Sequence, residues 1–391
     1  MDTYDVIVIG AGITGASTAY YLKKSGVENV LLLEKGASPA CSNTGRSAGI
    51  VRTFYTTLLM TRIAKAAVNL FEGAKEEFGN DFGFQQTGFT QLMPADWKEP
   101  AEKLVAMHQA EGIDTRIIDP SEYGEQLPWL NPEGVGLVLF EADSGYSDPV
   151  QTTEAFVDAF TRLGGKVRFK TPCRGLLRNG DRVTGIILEE GSVSADKVVN
   201  SAGPWAKYLA ESINLDLPLR ALREQDAIIE VPKDCPMPTT PVANAIDPTY
   251  MRPMAQGGGR WLLGRGFPKP YFDVDPYNYK ESLDDEFSVE ALQLMANRVP
   301  SLQKARAVSG YAALYDVTPD WMPFFGPRAG LDGYYDASGG SGHAFKTAPI
   351  LAMELVDWML ENSVKEDFRQ LSFDRVNDDN LFVSIFGGNR C

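Results

Sequence analysis

The chain has 391 residues, 44% of them hydrophobic and 23% charged, which is more than a single core usually fills and is unlike a disordered polypeptide. A net charge of −15 and a pI near 4.7 argue against nucleic acid or an anionic membrane surface as the main partner, though not against a local basic pocket. Cys41, Cys173, Cys235 and Cys391 are irregularly spaced and there are two histidines, so neither a zinc site nor a disulfide framework is expected, and a reducing, cytoplasmic setting fits.

The opening MDTYDVIVIGAG lacks a basic n-region, and no stretch approaches 18 apolar residues, so neither a signal peptide nor a membrane span is expected. Residues 5–9 form a short β-branched run, the pattern of a strand buried on both faces. Gly10, Gly12 and Gly15 follow as GxGxxG, with Ile13 and Thr14 inside the motif. Helical spacing then runs over 13–26 and a second strand over 30–34, ending at Glu34. Gly10 permits the tight turn, Gly12 lets a pyrophosphate approach the backbone, and Gly15 lets helix and strand pack closely. The helix N-terminus faces the phosphates with its positive end, and Glu34 is placed to accept ribose hydroxyls. This is a dinucleotide site, and the motif alone does not separate NAD from FAD.

Residues 35–55 (KGASPACSNTGRSAGIVRTFY) read as an extended loop rich in small residues, with Arg46 and Arg52, where a nicotinamide domain would begin another crossover helix. Strands are predicted at 89–95, 226–232 and 260–265, and a helix over 288–302 stopped near Pro300. Residues 166–205 alternate like hairpins with a turn at Asn179-Gly180 and end in a buried-type strand at 197–203. Residues 268–287 read as a surface loop, and the mildly apolar tail 376–391 as packing or a subunit contact. After GGSGHAFK (339–346) a helix carries Leu351, Leu355 and Met359 on one stripe, and Pro349 is expected in its first turn, which would start it near Lys346. The positive end of that helix then follows the glycines, with His343 just ahead of it.

Five motifs together resemble the D-amino-acid oxidase-like superfamily of FAD oxidoreductases. They are the GxGxxG with Glu34, SNTGRSAGIVR (42–52), VVNSAGPWA (198–206), YDVTPDWMPFFGP (315–327) and GGSGHAFK. The nearer branch contains sarcosine oxidases, dimethylglycine dehydrogenases and dye-linked proline dehydrogenase subunits. The resemblance implies an α/β fold: a Rossmann-like FAD-binding domain (1–85, 146–222 and 321–391) and a discontinuous antiparallel-sheet substrate domain (86–145 and 223–320). It implies FAD contacts from Gly10, Gly12, Ile13, Thr14, Gly15, Glu34, Lys35, Ser42, Thr44, Gly45, Arg46, Ser47, Cys173, Ala202, Gly203 and Trp205. It extends them to Gly340, Ser341, Gly342, His343, Ala344, Phe345 and Lys346, with Cys173 on a strand passing the adenine.

The resemblance further implies oxidation of the C–N bond of a small or N-alkylated amino acid, with Arg52 and Lys346 clamping its carboxylate and Tyr315, Tyr250 and His343 lining the pocket. No general base is strictly required, because the flavin takes the hydride once the amine is neutral. Ala313 stands where monomeric sarcosine oxidases carry their flavin-linking cysteine, so noncovalent FAD is expected. Leu262 stands where those oxidases carry an oxygen-activating lysine, with Arg260 or Arg265 as substitutes. The electron acceptor is therefore O₂ or another redox protein or subunit, in a homo- or hetero-oligomer. The competing readings are an FAD dehydrogenase of a hydroxy acid or polyol phosphate, a flavin-carrying subunit of a larger complex, and an NAD-only enzyme.

Overall fold

The structure is a computed structural model that describes residues 3–254, 259–361 and 364–386. Its first sheet is built around five parallel strands in the spatial order Lys166–Arg168, Val30–Leu33, Thr3–Ile9, Gly191–Asn200 and Leu331–Ser338. Phe324–Arg328 closes one edge antiparallel, and the hairpin Gly175–Asn179/Arg182–Leu188 pairs with the start of Gly191–Asn200. The helices Ile13–Lys24, Pro149–Arg162 and Ala344–Glu361 share a core with Val6, Val8, Val30 and Leu32 on one face. Ile7, Ile9, Leu31 and Leu33 alternate onto the other face, against Leu209 and Tyr334. Burial on both faces is why these strands read as continuous apolar runs.

The second sheet runs in the order Arg306–Val317, Arg220–Glu230, Arg260–Arg265, Thr249–Pro253, Val242–Asn244, Phe89–Met93, Leu137–Glu141 and Thr115–Ile118. All its pairings are antiparallel except that of Val242–Asn244 with Phe89–Met93. One face packs on Asp285–Ala296 through Ala227, Ile229, Met251, Leu263, Ala291 and Met295. Asp226, Tyr250 and Gly264, one position off that apolar set, turn to the opposite face.

Four expectations are corrected. The strand predicted from 226 begins at Arg220, because it pairs along its whole length with Arg306–Val317. The helix predicted over 288–302 spans Asp285–Ala296, and Pro300 opens a separate 3-10 turn. Val299, just ahead of the proline, has φ −121° and ψ 83°, outside the helical region that a following proline disfavours. The last long helix starts at Ala344, so Pro349 lies beyond its first turn and leaves the Phe345 carbonyl without its helical donor. Cys173 precedes the strand Gly175–Asn179 rather than lying on it. Of the predicted tail, residues 387–391 lie outside the described residues.

The final turn is held by a buried ion pair. Arg375 Nε reaches Asp320 Oδ2 at 2.8 Å, its Nη2 reaches Oδ1 at 3.0 Å, and their side chains are 2% and 0% exposed. Arg375→Met strands a buried carboxylate and is expected to cost about 3–5 kcal/mol. Thermal unfolding tests this, and an unchanged midpoint would refute it. Among the described residues no helix is long and apolar enough to cross a membrane.

Candidate functional site

One cavity of about 500 Å³ runs from the first sheet's carboxyl edge to the second sheet, and residues from both line it. At one end are Gly10, Gly12, Ile13, Thr14, Glu34 and Lys35. Gly10 has φ +101°, and a Cβ there would lie 2.7 Å from the Ser201 carbonyl oxygen. Gly12 precedes the helix Ile13–Lys24 and offers no side-chain cap, so the positive end of that helix opens on the cavity. The Glu34 carboxylate accepts from Ala11 N–H (2.9 Å) and Gly36 N–H (2.7 Å), which holds it at the rim. The Lys35 ammonium sits 2.8 Å from the Trp205 ring centroid, and burial pulls it down to about 8 against the opposing pull of Glu34. Burial pushes the Cys173 thiol up to about 11 and its Sγ donates to Gly175 O, so it is no thiolate nucleophile.

Ser42, Thr44, Arg46 and Ser47 line the middle, with Ala202, Gly203 and Trp205 beside them. Thr44 Oγ1 accepts from Ile13 N–H at 3.2 Å. Arg46 points toward the second sheet, donating to Tyr279 Oη and Ala312 O and pairing with Glu281. Trp205 Nε1 and Ser338 Oγ are buried in this wall with no hydrogen-bond partner among the described residues. Glycines without room for a side chain, amide donors at a helix end, a held carboxylate and orphaned polar atoms fit a bound dinucleotide.

Three residues of the sequence-derived set do not line the cavity. A Cβ on Gly15 would stand 1.8 Å from Gly10 O, and one on Gly45 2.3 Å from Ala40 O, so both glycines serve close backbone packing behind the wall. Ser341 is fully buried, where its hydroxyl accepts from Thr318 N–H and donates to Gly339 O.

At the other end the structure brings Arg52, Lys346, His343, Tyr315 and Tyr250 to the same cavity. Arg52 donates to Phe54 O and lies over the rings of Phe54, Tyr55 and Phe89. Lys346 is 4% exposed, its ammonium 5.0 Å from the Tyr55 ring centroid. Burial first, then Arg52, push that ammonium well below the usual lysine range, with Glu141 opposing. Gly340, Gly342, His343, Ala344 and Phe345 complete this wall. Gly342 has φ +81°, and the Tyr315 ring crosses its α-carbon, where a Cβ would meet ring carbons at 2.3 Å. The His343 carbonyl accepts from Tyr55 Oη at 3.4 Å.

Several residues here carried no sequence signal. Glu141 is fully buried behind the two cations, accepting from Thr53 N–H and Ser144 Oγ, with His108 Nδ1 3.9 Å away. His108, the second histidine, is buried against Thr115 Oγ1 and Tyr55 O. Phe386 lines the cavity and stacks on Trp97 (4.5 Å) and Phe54 (6.1 Å), so the described part of the tail packs over the site. Asp226 and Glu224 enter from the second sheet. Arg260 and Arg265 are turned elsewhere, pairing with Glu230 and Glu290, while Arg252 is the strand neighbour of Leu262. These groups meet only when strands far apart in the chain pair, which local pattern does not encode.

The chain is 27% identical over 395 aligned positions to dimethylglycine dehydrogenase of Rattus norvegicus, an alignment covering 96% of this chain and 45% of that protein. It is 27% identical to the 4-methylaminobutanoate oxidase (formaldehyde-forming) of Paenarthrobacter nicotinovorans, over 91% of this chain and 44% of that one. It is 25% identical to sarcosine oxidase subunit beta of Rhodobacter capsulatus, over 88% and 82% of the two chains. The chain thus spans less than half the length of the first two relatives. Its fold superposes on the crystal structure of L-proline dehydrogenase from P. horikoshii with a TM-score of 0.88 and 25% identity, covering 97% of this chain and 100% of that one. The model of the FAD dependent oxidoreductase family matches residues 5–358. With the cavity described above, that match places this chain in the FAD dependent oxidoreductase family, whose cofactor is FAD.

Proposed function

We propose that this chain oxidises the C–N bond of a small or N-alkylated amino acid to an imine, with FAD held noncovalently. The observation that carries this reading is the placing of Arg52 and Lys346 in one cavity with the dinucleotide-type glycine wall. Two adjacent cations, one of them desolvated, suit a carboxylate: the guanidinium offers a fork and the ammonium a point charge. The segments 1–85, 146–222 and 321–391 hold the cofactor, and 86–145 with 223–320 cover the substrate end. The residues named for the glycine and loop walls grip FAD, and Gly15, Gly45 and Ser341 shape the backbone behind them. When bound, the flavin supplies the acceptor for the hydride of the substrate C–H. The protein orients that bond, and the aromatic group of Phe54, Phe89 and Phe386 keeps water from it.

The similarity to enzymes named for dimethylglycine, 4-methylaminobutanoate and L-proline supports this substrate class. Anaerobic mixing with sarcosine, N,N-dimethylglycine and L-proline is expected to bleach the flavin band with at least one of them. Bleaching by a hydroxy acid and by no amine would overturn the reading. The similarity to a sarcosine oxidase beta subunit supports a hetero-oligomer, and reoxidation by O₂ against an artificial dye separates O₂ from another redox protein as electron acceptor.

Two further outcomes follow. Ala313 at the cavity wall offers no attachment atom, so acid precipitation is expected to release all the flavin into the supernatant. A carboxylate beside Lys346 raises its depressed pKa, so binding takes up a proton. Titration calorimetry with methoxyacetate in two buffers of different ionisation enthalpy is expected to show that uptake at neutral to alkaline pH. Lys346→Met is expected to abolish it.

A further inference from the structure

The second sheet carries a built acidic site on the cavity that also holds Arg52 and Lys346. Asp226 on Arg220–Glu230 and Tyr250 on Thr249–Pro253 are not strand neighbours; Gly264, on the strand between them, pairs with both. Tyr250 Oη donates to Asp226 Oδ1 at 2.7 Å, directly over that glycine. A Cβ on Gly264 would stand 2.5 Å from Asp226 Oδ1 and 2.4 Å from Tyr250 Oη. The bond therefore exists because position 264 has no side chain. Asp226 and Tyr250 both line the cavity.

We propose that Asp226, held by Tyr250 across the gap at Gly264, accepts the proton of the substrate's ammonium group. This rests on the amino-acid reading above and replaces the expectation that no base is needed. The N–H bond of the bound ammonium breaks and an O–H bond forms on Asp226. The amine keeps the electron pair it needs to expel hydride from the adjacent carbon, and no further reagent is involved. The groups facing Asp226 come from every neighbouring element. Glu224 is on its own strand, paired with Lys269; Tyr250 and Arg252 are on Thr249–Pro253; Tyr311 is opposite on Arg306–Val317. Burial is the main force raising Asp226 to about 7, Glu224 adds to it, and Tyr250, Lys269 and Arg252 oppose it. Burial and Asp226 itself keep Tyr250 far above its usual range, so the phenol remains a donor. The cations acting on Lys346 and Asp226 are different ones, Arg52 for the first and Lys269 with Arg252 for the second. The cavity thus offers a cationic pole for the carboxylate and an acidic pole for the amine.

The test uses the holoenzyme and anaerobic stopped-flow reduction by whichever of sarcosine, N,N-dimethylglycine and L-proline bleaches the flavin. In the wild type the reduction rate is expected to rise with pH through an inflection near neutrality. Asp226→Asn is expected to lose about 10²–10⁴-fold at neutral pH, the usual range for a positioned base, and to lose that inflection. Tyr250→Phe removes a bond that lowers the aspartate's pKa, so its inflection is expected to move to higher pH. A purely structural aspartate would not move the inflection. Methoxyacetate, which has no amine proton, is expected to perturb the flavin spectrum equally in wild type and Asp226→Asn. An Asp226→Asn enzyme that keeps the wild-type inflection, or Tyr250→Phe with an unmoved one, would overturn the proposal while leaving the amino-acid reading intact. Failure of every amine to reduce the wild type would instead overturn that reading.

Discussion

Arg52→Ala is expected to lower kcat/KM for the reducing amino acid by about 10²–10³-fold while the purified protein keeps its flavin. Truncating one partner of a desolvated, hydrogen-bonded charge pair costs roughly 2–5 kcal/mol, and each ~1.4 kcal/mol is a factor of ten. The predicted loss lies in the middle of that range. Lys346 is almost fully buried and its ammonium is depressed by burial and by Arg52, so Arg52 is the more dependable positive charge in the free enzyme. Arg52→Lys is expected to recover part of the loss, because a point charge returns without the planar fork. Lys346→Gln is expected to cost less than Arg52→Ala, and the double variant more than the sum, because removing Arg52 relieves Lys346 of its repulsion and the fuller charge that then compensates is absent from the double. Steady-state kinetics beside the 450 nm absorbance of the purified protein decides the matter. Loss of flavin from Arg52→Ala would make this arginine a cofactor residue and overturn the clamp.

Gly15→Ala is expected to yield protein without FAD. The new methyl carbon would stand 1.8 Å from Gly10 O and 2.7 Å from Ser201 Oγ. Gly10 itself already holds a backbone conformation that residues with a Cβ rarely adopt. The closest overlap is with the main chain of the turn at Gly10, so it cannot be relieved by a rotamer change, whatever the Ser201 hydroxyl does. The first helix must move away from Thr3–Ile9, and with it the amide donors that open on the cavity. Gly124→Ala is the control: nothing lies within 4 Å of a Cβ there, and its helix gains about 1 kcal/mol of propensity at most. Flavin absorbance per protein after purification is the readout. A yellow Gly15→Ala protein with wild-type spectrum would refute the packing argument.

The dinucleotide end was legible because its chemistry is local. Strand, glycine turn, helix and acid occupy 3–34 in one continuous stretch, and Gly15 answers to the Gly10 carbonyl only a few residues away. The cation pair was legible through the resemblance of two motifs, at 42–52 and 339–346, although nothing local joins Arg52 to Lys346. The start of the last helix was misjudged because proline in a first turn is only a preference, and packing of Leu351 and Leu355 in the core holds the helix past it.

By itself the sequence determined the parallel-sheet core, the glycine-lined cofactor wall and the absence of a cysteine at 313, since these depend on residue type and short-range spacing. Only the tertiary structure decided which acid shares the cavity with Arg52 and Lys346. Asp226, Gly264 and Tyr250 are separated in sequence by other strands and turns, and none is distinctive alone. Antiparallel pairing sets the three in one row, and the missing side chain at 264 lets a phenol reach a buried carboxylate. The low-dielectric cavity then raises that carboxylate toward neutrality, a property of its burial and neighbours that no local pattern carries.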